Sequence, residues 1–394
     1  MYDIIFYNGT ILGANGPIIN GYVLVKDGVI ARVGTGKPPC FDAVETVDLN
    51  GDVLSPGFID IHTHGAGGSD FMDGTVDAIL TASRMHLRHG TTTLCPTSVA
   101  SEDEELFGFM DSYQQARSVH ENMPHLAGMH LEGPYFSPNQ AGAQQPERMK
   151  QPFPDHYIKI LERSHGNIVR WSSAPEVPGV MELGDILVRN GIIPAIAHTD
   201  ADFSVVKRAM GHGYSLLTHF YSGMSQLKRV NGHRILGVVE AGYLYDELYI
   251  ELIADGIHLP GELLQLILKC KAHDHIILVT DSMRAAGMPE GPSILGSLKN
   301  NFEVIVEDGV AKMPDRQGFA GSVATADRLI RVMVYEAGLP LHEAVDMITK
   351  NPAKLLRIDY KTGSIAEGKA ADLVVFDKDI QVKQVYVDGN RVSL

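Results

Sequence analysis

The chain has 394 residues, 44% of them hydrophobic and 21% charged, the balance of an ordinary globular protein with no dominant disordered tract. Its formal charge of -15 at pH 7 argues against nucleic acid or an anionic membrane surface as partner, and an anionic small molecule would need local cations of its own. Cys40, Cys95 and Cys270 are odd in number and lack CxxC spacing, which argues against a disulfide framework and a structural zinc finger.

The N-terminus, Met1-Tyr2-Asp3-Ile4-Ile5-Phe6, lacks the basic and apolar regions of a secretory signal, and no apolar run reaches the length of a membrane span, so the cytoplasm is the expected compartment. Residues 1–54 read as short strands separated by turns: Ile4 to Tyr7 before Asn8-Gly9, Tyr22 to Lys26 before Asp27-Gly28, and Val29 to Val33 before Gly34. The tail repeats this pattern in Asp372 to Asp377 and Val385 to Val392. A small β-sandwich domain is therefore expected from both chain ends, residues 1–54 and 359–394, around a catalytic domain of residues 55–358.

In that middle region short apolar strands alternate with helix-length amphipathic stretches. The expected strands are Gly57 to His62, Thr91 to Pro96, Leu126 to Leu131, Val169 to Ser173, Ile193 to His198, Leu216 to His219, Leu248 to Ile253 and His275 to Thr280. Eight such strands predict an α/β fold of the (β/α)8 TIM-barrel type, whose reactive groups sit at the carboxyl ends of the strands. The turn-rich stretch Pro138 to Pro154 reads as an active-site loop.

The first barrel strand ends in His62-Thr63-His64, and side chains two apart on a strand share a face, so both imidazoles address one site. The third run ends in Glu132-Gly133-Pro134, a carboxylate on a tight turn. Two further runs end in His198 and His219. Imidazole with carboxylate suits Zn²⁺ or Fe²⁺ better than the oxygen-seeking Mg²⁺ or Ca²⁺. This ligand set exceeds the needs of one catalytic zinc, so two metals sharing a carboxylate stand beside the one-metal reading. Asp281, near the end of the last run, serves either as proton acceptor for an attacking water or as a helix N-cap with Ser282 following.

The segments Pro56 to Gly65, His130 to Pro134, His198, Thr218-His219, Ala254 to His258, Thr280 to Ser282 and Ala320 to Ser322 resemble the N-acetylglucosamine-6-phosphate deacetylase family of the amidohydrolase superfamily. The tail Gly363 to Leu373 is similar to the return of that superfamily's small β domain. His-x-His and the tail mark only the superfamily. Leu131-Glu132-Gly133-Pro134 with Ala254-Asp255-Gly256-Ile257-His258 marks the deacetylases.

The resemblance implies that Glu132, His198 and His219 hold a main divalent metal, with His62 and His64 completing a second site bridged by Glu132. It implies Asp281 as general base and acid, and substrate contacts from Ala143, Gln144, Ser222, Gly223, His258, Phe319, Ala320 and Gly321. Arg234 would serve the phosphate of the neighbouring subunit's substrate, which implies a homodimer; a guanidinium fork suits phosphate. The implied substrate is a small phosphorylated amino sugar, with neither nucleic acid nor membrane as partner.

The chain departs from the family twice. His219 is followed by Phe220-Tyr221-Ser222-Gly223-Met224 where relatives carry Asn-Ala-Met, and Gln144 stands where many carry histidine. Deacetylation of N-acetylglucosamine-6-phosphate is thus the leading expectation. The alternatives are its galacto epimer, a cyclic amidohydrolase or deaminase, and a metal-free scaffold.

Overall fold

The computed structural model describes residues 1–393; Leu394, the last residue of the expected small domain, lies outside the described residues. Both chain ends enter one hydrogen-bonded sheet. Its strands are Tyr2–Gly13, Gly16–Lys26, Val29–Thr35, Ala43–Asp48 and Val53–Pro56, followed by Leu373–Phe376, Val382–Val387 and Asn390–Arg391. Leu373–Phe376 lies antiparallel to Val53–Pro56, which itself runs parallel to Tyr2–Gly13, so the last strands dock on the strand that leads into the middle region. Ile4, Phe6, Val23, Val25, Leu54, Leu373, Val375 and Tyr386 form the core between them.

Asp27-Gly28 is the tight hairpin its sequence predicts, with φ of 52° and 73° at the two turn residues. Asn8-Gly9 is not a turn. The first strand runs through it to Gly13, with a register shift at Tyr7 and Gly9. The reason is a close backbone approach: a Cβ on Gly9 would sit 2.5 Å from the Asp52 carbonyl oxygen, so the glycine serves a bulge instead of a reversal.

The strands expected of the barrel, from Phe58–Thr63 to Ile276–Leu278, are parallel. Phe58–Thr63 pairs with Thr91–Pro96, and Met129–Glu132, Ile168–Ser173, Ile193–Ile196, Leu216–Leu217, Tyr249–Leu252 and Ile276–Leu278 form a second parallel sheet in chain order. A bridge from Thr97 to His130 joins the two sheets, and Asp281 N–H donates to the His62 carbonyl at 2.9 Å across the opposite edge. Helices such as Val76–Arg88, Val180–Arg189 and Ala326–Tyr335 alternate with the strands. The strands bury both faces, which explains their continuous apolar runs. Ile59, Ile61, Ala195, Leu216, Ile277 and Val279 pack in one cluster, while Leu131, Trp171, Ile196 and Leu278 pack in the larger core with the helices.

The third expected strand is broken at Gly128, φ 146°: His125–Leu126 pairs with Thr91–Pro96, and Met129–Glu132 with Ile168–Ser173. Several strands stop short of their expected ends because the chain turns at the site residues themselves. His198, His219 and Asp281 have φ of 46°, 34° and 47°, each just past a strand end. A left-handed conformation in a residue other than glycine costs on the order of 1–3 kcal/mol and clusters at functional sites. An antiparallel sheet of Gly291–Gly296, Asn301–Glu307 and Val310–Lys312, absent from the sequence expectation, packs on Met283, Ala285 and Ala320 beside those strand ends.

Candidate metal centre and active site

The strand ends bring His62, His64, Glu132, His198, His219 and Asp281 to one buried point. The His62 and His64 Nε2 atoms lie 3.3 Å apart, as their spacing on the strand predicts. Glu132 lies between the two histidine pairs. Its Oε1 is 3.0 Å from His219 Nε2 and 3.2 Å from His198 Nε2, and its Oε2 is 3.4 Å from His64 Nε2. His62, His64 and Glu132 form one group whose ligand atoms all lie within 4.8 Å of one another, and Glu132, His198 and His219 form a second.

The hydrogen bonds on the far side of the His62, His198 and His219 rings test whether these groups suit a cation. His198 Nδ1 donates to the Gln140 carbonyl at 2.8 Å and His219 Nδ1 to the Ser222 carbonyl at 3.1 Å. A carbonyl only accepts, so the ring proton of each sits on Nδ1 and its Nε2 lone pair faces inward. Those lone pairs meet 3.2 Å apart against a carboxylate oxygen, an arrangement that needs positive charge at its centre. His62 follows the same logic, with Nδ1 on Glu251 Oε2 at 3.2 Å. Metal-ligating imidazoles are held in this way, and the donor set fits a divalent transition metal.

The electrostatics agree. Burial alone would raise the Glu132 carboxyl, but the His198 and His219 rings against it and the neighbouring His62 hold it well below the usual range. Burial opposes ionisation of Asp281 too, yet the His62 charge and the His64 hydrogen bond bring it down to about 2. Burial would lower His64; Asp281 and Glu132 outweigh it and raise the imidazole to about 9. The carboxylates are thus held ionised beside rings whose surroundings favour a positive charge at their centre.

Asp281 Oδ1 is 3.2 Å from His64 Nε2 and 3.3 Å from His62 Nε2. It is not a helix N-cap: no helix begins there, and its backbone bonds His62 and Ser322. Above it opens a cavity of about 440 Å³, lined by Ala143, Gln144, Ser222, Gly223, His258, Phe319 and Gly321 among others. Ala320 stands apart from this lining, buried against Met283 and Val304. Arg234 lies on an exposed hairpin of Lys228–Val230 and His233–Ile235, away from the cavity of its own chain.

The departures from the family pattern have defined surroundings. Gln144 Oε1 accepts from Ala100 N–H at 2.9 Å, which orients its amide so that Nε2 donates to Glu132 Oε2 at 2.7 Å. Gly223 adopts φ 56°, and a Cβ there would stand 3.0 Å from His198 Nδ1. His258 Nδ1 is tied to Asp255 Oδ2 at 2.8 Å, leaving Nε2 for a ligand, and its ring packs on Phe319.

Sequence reasoning passed over several residues of this site. Glu251 and Arg170 form a fully buried ion pair behind His62. The antiparallel sheet and its first turn supply Leu295, Ser297 and Phe302 to the cavity wall, and the Pro138 to Pro154 loop supplies Arg148. A charge within an apolar strand run was the available signal for Glu251 and Arg170; the cavity wall left none, because nothing local fixes where an insertion folds.

Residues 53–392 match the family model described as Amidohydrolase family. The chain is 32% identical to the N-acetylglucosamine-6-phosphate deacetylase of Vibrio furnissii, covering 92% of this chain and 93% of the relative. It is 30% identical to an N-acetylgalactosamine-6-phosphate deacetylase of Escherichia coli O157:H7, covering 94% of each. Among solved structures it is similar to a variant of the N-acetyl-D-glucosamine-6-phosphate deacetylase of Mycobacterium smegmatis in complex with N-acetyl-D-glucosamine-6-phosphate. That likeness has a TM-score of 0.91 at 30% identity and covers 100% of both chains. With the strand-end ligand groups and a match along nearly its whole length, the chain belongs to the amidohydrolase family.

Proposed function

We propose that the protein hydrolyses the acetamide of N-acetylglucosamine-6-phosphate to glucosamine-6-phosphate and acetate, a metal-dependent step of amino-sugar catabolism in the cytoplasm. The observation that carries this reading is one carboxylate, Glu132, shared by two histidine pairs, with Asp281 beside them on the floor of a sugar-sized cavity. Glu132, His198 and His219 hold one divalent metal, Zn²⁺ or Fe²⁺, and His62, His64 and Glu132 hold a second. Residues 55–358 act as a closed eight-stranded barrel and the chain ends as a two-layer β module; the bridges from Thr97 to His130 and from Asp281 to His62 support closure.

A divalent cation bound there supplies a Lewis acid and lowers the pKa of water toward about 7. Asp281, ionised at neutral pH, takes the proton of the attacking water on its carboxylate as oxygen adds to the amide carbon. The same carboxyl then returns the proton to the nitrogen as the C–N bond breaks, so acetate and the free amine leave. His258, whose Nδ1–H is fixed on Asp255, presents its Nε2 lone pair to the substrate as an acceptor. Gln144 is held on Glu132 and Ala100, so its first task is to orient the shared carboxylate, and its remaining amide hydrogen is free for the acetyl oxygen. Ala143, Ser222, Gly223, Phe319 and Gly321 shape the sugar pocket. Arg234 reaches the phosphate bound in the other subunit of a homodimer, a role its exposed hairpin allows.

Acetate release from N-acetylglucosamine-6-phosphate, its galacto epimer and unphosphorylated N-acetylglucosamine tests the reading. The first is expected to have the highest kcat/KM. Preference for the epimer moves the substrate and keeps the chemistry; release from none of the three refutes the proposal.

A further inference from the structure

Glu251 is a buried carboxylate that touches a ligand of each histidine group. Its Oε2 is 3.2 Å from His62 Nδ1 and accepts the backbone N–H of His219 at 3.2 Å, while Oε1 pairs with the Arg170 guanidinium. Arg170 is fixed in turn by the Ile61 carbonyl at 3.1 Å and Thr218 Oγ1 at 3.0 Å, and neither charged side chain is solvent-accessible. His64, the other imidazole of the first group, has no such support: its Nδ1 is buried without a hydrogen-bond partner among the described residues. Of the two imidazoles in the first group, His62 is thus the one held from behind, and Glu251 holds it.

We propose that Glu251, anchored by Arg170, is the positioning residue that makes His62, His64 and Glu132 a metal site distinct from Glu132, His198 and His219. A carboxylate is required because both of its oxygens face donors: Arg170 on one side, His62 Nδ1–H and His219 N–H on the other. An amide in its place turns an NH2 against one of them whichever way it is set. The second group keeps its own supports, the Gln140 and Ser222 carbonyls, and does not depend on Glu251 for the direction of its rings. This proposal rests on the two-metal reading above.

Metal content by plasma mass spectrometry, with binding isotherms on apo-protein reconstituted with Zn²⁺, tests it. Wild type is expected to take up two equivalents. Glu251→Gln is expected to keep one at unchanged affinity and to bind the other tenfold to a hundredfold more weakly, the usual loss when the outer partner of a ligating histidine is removed. Should Glu251→Gln fail to fold, Glu251→Asp retains the charge opposite Arg170 and withdraws the carboxylate from His62, and the same selective loss is expected. A folded variant that binds both equivalents as wild type does, or that weakens both alike, overturns the proposal. Wild type with a single equivalent overturns the two-metal reading itself, and this proposal with it.

Discussion

Asp281 and the histidines beside it divide the chemistry between atoms less than 4 Å apart, so each can be removed separately. Asp281→Asn keeps the shape and abolishes the proton acceptor. We expect metal content unchanged and kcat lowered by about 10²–10⁴-fold, the range for a general base; turnover near that of wild type would contradict the assignment. Glu132→Gln, in contrast, should lose metal from both groups, which the same metal analysis reads. Most of this constellation was legible in the sequence, since histidine at the end of an apolar strand run is conspicuous and His62 and His64 share a face by strand geometry alone. The left-handed φ at His198, His219 and Asp281 was not, because it arises from chain reversal against neighbouring strands. The tie of Gln144 to Glu132 was equally hidden, since it depends on the Ala100 N–H that orients the amide.

At the scale of elements, one buried contact away from the site ties stability to pH in the acid range. Asp327, in the first turn of helix Ala326–Tyr335, bonds His89 Nδ1 at 3.0 Å at the end of helix Val76–Arg88 and Arg331 Nη1 at 2.7 Å. Burial opposes its ionisation, but His89 and Arg331 bring it from 3.8 to about 2. A carboxylate depressed in the folded state contributes fully above its unfolded value and loses that contribution as pH falls through the folded one. The shift corresponds to about 2 kcal/mol. Asp327→Asn should therefore lower Tm at neutral pH, and its gap from wild type should close between about pH 4 and pH 2; a gap constant with pH would contradict the linkage. Periodicity located the parallel strands well, as at Thr91–Pro96. It erred at Asn8-Gly9, where the same dipeptide that marks a hairpin serves a bulge beneath Asp52. It was silent on the sheet of Gly291 to Lys312, whose short strands are shaped by packing on Met283 and Ala320.

For the whole molecule, the formal charge of -15 sets the problem of an anionic substrate. Arg148 is the single Lys or Arg side chain on the cavity wall among the described residues, and it is already paired with Glu102. A second subunit that lends Arg234 would answer that need. Arg234→Ala should raise KM for phosphorylated substrate about tenfold or more, with a far smaller effect on the unphosphorylated sugar. Equal losses on both would argue against the shared site. The chemistry proposed for the Glu132 centre is metal-dependent hydrolysis of a sugar acetamide. Its most direct test is acetate release from N-acetylglucosamine-6-phosphate by one preparation before chelation, after chelation and after reconstitution with Zn²⁺ or Fe²⁺. Turnover is expected to disappear with the metal and to return with it. Acetate release that survives complete metal removal would contradict that chemistry.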